Sequence, residues 1–148
     1  MLSEIGRAMK FEISSIIIAL ALVCAGCSDP VQGLVDRTRR AATAEEWRAW
    51  AAQMIERDKT NSTPLPRSEW PEFVRRTATD DRTSWEVSVG RNTDMDTNGP
   101  PLVMLVALGG FESIGVIIGP PSYVEVPPPQ YPQISKEVYP GIYVRAVH

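Results

Sequence analysis

The chain changes character near residue 97, and this constrains its fold more than any other feature. Residues 28–96 carry 13 acids and 11 bases, whereas residues 97–148 carry three acids (Glu112, Glu125, Glu137) and two bases (Lys136, Arg145). The second stretch also holds nine of the 13 prolines. Proline removes a donor and breaks helix interiors, so long helices are excluded there and strands and turns remain. The first stretch has the charged faces and spaced apolar residues of solvated helices. Helices followed by strands predict an α+β fold. Two or three short N-terminal helices should pack on a small, mainly antiparallel sheet of four to five strands.

The helices announce themselves by start signals and period. Asp29-Pro30-Val31-Gln32 places proline at a first helical position, and Val31, Leu34 and Val35 share one face as far as Arg40. Thr43-Ala44-Glu45-Glu46 is a capping box. Behind it Trp47, Trp50, Ala51, Met54 and Ile55 form one apolar stripe on a helix over 43–57. At this spacing the indoles are read as core, not as a platform for sugar or lipid. A third short helix over 69–76 turns Trp70, Phe73 and Val74 inward. Arg75-Arg76 suits its C-terminal dipole.

From Trp85 the period is two. Strands are expected at 85–89, 102–108, 114–118 (interrupted by Gly115), 122–126 and 142–147, arranged as a meander. The run at 102–108 is apolar throughout, as a central strand would be. Pro127-Pro128-Pro129-Gln130-Tyr131-Pro132 cannot join a central strand and should lie extended on the surface.

The N-terminus reads as a secretion signal. Lys10 precedes an apolar stretch from Ile13 to Val23, broken only by Ser14 and Ser15, and small residues follow at Ala25-Gly26. The run is shorter than the 20 or so residues of a spanning helix. Met9 offers an alternative start, with Met-Lys-Phe-Glu the more ordinary opening. Val23-Cys24-Ala25-Gly26-Cys27-Ser28 resembles the lipobox of bacterial lipoproteins, with Cys24 standing where an aliphatic residue is usual. The resemblance implies cleavage before Cys27 and lipid attachment at Cys27. It also implies a place in the bacterial cell envelope, and Ser28 in place of Asp favours the outer membrane. Membrane lipid, through Cys27, is then one partner. The chain divides accordingly into a signal peptide at 1–26, a lipid-anchored tether or short helix at 27–42, and a single α+β domain at 43–148.

Both cysteines fall at the signal boundary, so the domain has no disulfide, thiolate metal site or cysteine nucleophile. The only histidine is His148, which leaves little to support histidine chemistry. Net charge is −3, without the basic excess of a nucleic-acid binder. No catalytic residue and no cofactor are assigned. Asp94-Met95-Asp96-Thr97-Asn98-Gly99 matches the opening of an EF-hand loop, making Asp94, Asp96 and Asn98 weak metal candidates. The match then fails, because Leu105 stands where a bidentate Glu is needed. Pro127, Pro128, Pro129 and Tyr131 form a candidate interaction patch, since extended proline segments dock into aromatic grooves. The expected function is a membrane-anchored, non-enzymatic binding or structural module that engages another envelope protein or polymer. The alternative is a small carboxylate-dependent hydrolase or weak calcium-binding domain.

Overall fold

A computed structural model describes residues 29–61, 63–79, 84–91, 99–109, 112–126 and 133–147. The compact unit considered below spans Val31–His148. Among the described residues three α-helices precede a five-stranded antiparallel sheet, the α+β arrangement expected.

Helix α1 (Pro30–Ala41) buries Val31, Leu34, Val35 and Thr38, one stripe at helical spacing. The stretch expected as a tether or short helix is thus a helix whose apolar face lies in the core. Helix α2 (Ala44–Thr60) starts at the expected capping box. Thr43 N donates to Glu46 Oε2 at 2.7 Å, and Glu46 N donates to Thr43 Oγ1 at 3.3 Å. Trp47 is fully buried, and its Nε1 donates to Thr38 O at 3.2 Å, which pins α2 to the end of α1. A 3₁₀ turn (Arg67–Glu69) leads to α3 (Glu72–Thr77). Trp70 and Val74 are buried as expected, and the Phe73 ring meets Trp47 edge-on at 4.9 Å. Arg75 and Arg76 both pair with Glu72 at 3.0 Å.

The strands are β1 (Ser84–Arg91), β2 (Pro101–Gly109), β3 (Glu112–Ile118), β4 (Gln133–Tyr139) and β5 (Ile142–Val147), in the order β1-β2-β3-β5-β4. One face packs on the helices. Its core contains Trp85, Val103, Leu105, Val116, Ile118, Val144 and Ala146. The outer face has a smaller cluster of Leu102, Ile117 and Tyr123, flanked by Met104 and Tyr143.

Two expectations about the sheet need correction. Residues 122–126 are not a strand. They alternate with period two, but Tyr123 and Glu125 are buried while Val124 and Val126 are exposed. The segment lies over the outer face without joining the ladder. The strand is instead Gln133–Tyr139, where a register shift between Glu137 and Tyr139 disrupts the alternation that would reveal it. The arrangement is also not a simple meander, because β5 inserts between β3 and β4. The β3–β4 connection is long and proline-rich and reaches past one strand position. The tight turn at Pro140-Gly141 folds β5 back into the gap. Gly141 has φ +77°, and a Cβ there would stand 2.0 Å from Pro120 O, so only glycine fits.

Candidate functional site

Three charged residues of the charge-poor half, Glu125, Glu137 and Arg145, meet two tyrosines on the outer face of the sheet. Glu125, from the covering segment, has a side chain only 1% exposed. Arg145 on β5 donates from Nη1 to Glu125 Oε1 at 3.0 Å. Tyr123 donates its phenol O–H to Glu125 Oε2. Tyr143, next to Tyr123 in an edge-on pair at 5.9 Å, donates to Glu137 Oε1 at 3.2 Å. Burial, then the bond to Glu125, pushes the Tyr123 phenol well above its ordinary 10.0. Burial, then Glu137, raises Tyr143 as well. Both oxygens of Glu125 are therefore engaged, and Tyr123 stays protonated at any physiological pH. Chemically this arrangement is a clasp that fastens residues 123–125 to β5. It leaves no free base and no activated nucleophile.

A second feature lies along β1, the edge strand of the described sheet. The end of α2 and the loop that follows it wall a groove of about 260 Å³. Met54, Arg57 and Asp58 form one side, Asn61, Thr63, Pro64 and Leu65 the end, and Glu86 to Val89 the floor. Among the described residues β1 is paired only with β2, which makes it an edge strand of the described sheet. The Arg57 Nε is buried and has no hydrogen-bond partner among the described residues. An orphaned buried donor costs about 1–3 kcal/mol, which a ligand acceptor would recover. A second recess, of about 250 Å³ and lined by Ala51, Ala52, Ile55, Pro101 and Ile118 among others, is nearly all apolar.

The sequence-derived site residues fall elsewhere. Cys27, Asp94, Asp96, Asn98, Pro127, Pro128, Pro129 and Tyr131 all lie outside the described residues. Among the described residues no group of three or more His, Cys, Asp or Glu side chains converges to hold a metal ion. Sequence reasoning missed Glu125, Arg145 and Arg57. The first two left a faint trace: each is an isolated charge in an apolar stretch (Val124-Glu125-Val126 and Val144-Arg145-Ala146). Arg57 left none, since it is one of many charges on α2.

Comparison with known protein families, curated proteins and solved structures finds no match to this chain.

Proposed function

We propose that this chain is a lipid-anchored protein of the bacterial cell envelope. Its α+β domain is a non-enzymatic binding module that takes an extended polypeptide segment along β1. The anchor rests on the Ala25-Gly26-Cys27 sequence behind the apolar run. The binding role rests on one observation: the Arg57 Nε, without a hydrogen-bond partner among the described residues, stands in a groove floored by four consecutive residues of the edge strand of the described sheet. A strand laid there gains main-chain hydrogen bonds from β1, and one of its carbonyls or carboxylates accepts from Arg57. The clasp at Glu125 supports a binding role over a catalytic one, because its carboxylate is fully committed to Arg145 and Tyr123.

The test places a photo-crosslinking residue at Ser88 in the full-length protein in cells, with a second probe at Lys136 on the opposite edge strand. Crosslinks from 88 should map to one extended segment of another envelope protein, and Arg57→Met should lower their yield. Equal capture from both edges, or a yield at 88 indifferent to Arg57→Met, would remove the groove. Intact-mass measurement tests the anchor separately: a mature chain beginning at Cys27 should carry acyl mass.

A further inference from the structure

If Cys27 carries lipid, very little chain separates the bilayer from the core. The first helical residue is Pro30, and Val31 is already buried at 1% exposure. Four residue steps from Cys27 to Val31 span at most about 14 Å fully extended. The first turn of α1 is thus held close to the headgroups, and the part of the domain beside that turn is held there with it.

Hydrogen bonds identify that part. Gln32, in the first turn of α1, accepts from Lys136 Nζ of β4 at 3.2 Å. At the other end of α1, Arg39 donates to Val138 O at 3.3 Å, and Tyr139 donates its O–H to Ala42 O at 3.2 Å. The helix therefore runs in the same sense as β4, and its first turn lies beside Lys136, with its N-terminus toward the end where β4 begins. The register extends this end across the sheet: Gln133 faces Val147, Val147 faces Ser113, Ser113 faces Leu108, and Leu108 faces Ser84.

Two of the four exposed large apolar side chains among the described residues stand at this end. They are Leu108, 48% exposed, and Ile134, 44% exposed. The opposite end carries the Pro140-Gly141 turn, beyond β5. Six residues of strand cover about 17 Å, so with the strands steeply inclined to the bilayer the two ends lie at different depths. From this placement we infer that the sheet end bearing Leu108 and Ile134 rests on the bilayer that holds the Cys27 lipid, with the Pro140 turn directed away from it. This orientation rests on the lipid-anchored reading. Its apolar contacts add to the anchor in the way that partly buried apolar surface strengthens interfacial binding.

The experiment uses the natural cysteine distribution. A mature chain cut before Cys27 has no other cysteine, so a single introduced thiol can be labelled selectively. Leu108→Cys, Ile134→Cys and Pro140→Cys, all at exposed positions, carry a polarity-sensitive fluorophore in the lipidated protein. The protein is reconstituted in phosphatidylethanolamine–phosphatidylglycerol vesicles containing a headgroup-region nitroxide quencher. The expected result is a blue shift and quenching at 108 and 134, and neither at 140. Equal quenching at the three sites, or stronger quenching at 140, would overturn the orientation while leaving the lipid anchor standing. A mature protein without acyl mass on Cys27 would remove the anchor, and the orientation with it.

Discussion

Glu125 and Arg145 form an ion pair at 3.0 Å over the outer face of the sheet, with the carboxylate side chain 1% exposed and the guanidinium side 26% exposed. The pair lies between the exposed ion pairs worth under about 1 kcal/mol and the buried pairs whose disruption costs about 3–5 kcal/mol. Arg145→Leu leaves Glu125 buried with Tyr123 as its remaining partner. A loss of about 2 kcal/mol in urea unfolding is expected by interpolation between those limits. Glu125→Gln, which removes the charge but keeps acceptor and shape, should cost less. A variant Arg145→Leu as stable as the parent would show that the clasp holds nothing.

The two ends of the pH scale should act through different groups. The Thr43 backbone N–H and hydroxyl hold Glu46 below its ordinary 4.5, and Arg76, with help from Arg75, does the same for Glu72. A depressed carboxylate stabilises the fold above its unfolded value, and that stability is lost as pH falls through the folded value. Tyr123 and Tyr143 are shifted upward from 10.0, so their contribution is complete below 10.0 and is lost as pH rises beyond it. Stability should thus decline below about pH 4.5 and again above pH 10. Tyr123→Phe should flatten the alkaline limb and leave the acid limb unchanged. Thermal melts across pH check both, and an unaltered alkaline limb would contradict the assignment.

Thr43→Ala removes the cap of α2 and should cost about 1 kcal/mol, typical of a lost N-cap. It should also return the Glu46 carboxyl toward 4.5, readable by NMR titration. A stability loss without movement of Glu46 would mean that the reciprocal hydrogen bond is unimportant.

Gly141→Ala should be the most damaging small substitution. It combines a positive φ with a Cβ 2.0 Å from Pro120 O, against backbone that cannot swing aside. Strain at such positions costs about 1–3 kcal/mol before any clash. Because Gly119 N donates to Gly141 O at 2.9 Å, the damage should reach the end of β3 and show in amide exchange there.

Legibility in the sequence followed the range of the interaction. The Thr43–Glu46 box and the Trp47, Trp50, Ala51 stripe act within one or two helical turns, so their spacing alone revealed them. Trp70 and Val74 were legible for the same reason. β4 was not, because the shift between Glu137 and Tyr139 interrupts the period on which recognition depends. The position of β5 was hidden too, since strand order depends on where a 14-residue connection crosses and not on any local pattern. Glu125 and Arg145 showed only as lone charges among valines, and nothing in either segment names the other. The groove beside β1 combines the end of α2 with a sheet edge, and neither carries a motif.

The last strand of the chain, Ile142–Val147, occupies an interior position of the sheet. Its neighbours on either side, β3 and β4, are not paired with each other. The first helix meanwhile finds partners on β4, about a hundred residues later in sequence. Whatever delivers this chain from its N-terminus, ribosome or export channel, delivers no complete sheet until β5 has arrived. A stop codon placed just after Tyr139 would therefore remove β5 and leave β3 and β4 without the strand that joins them.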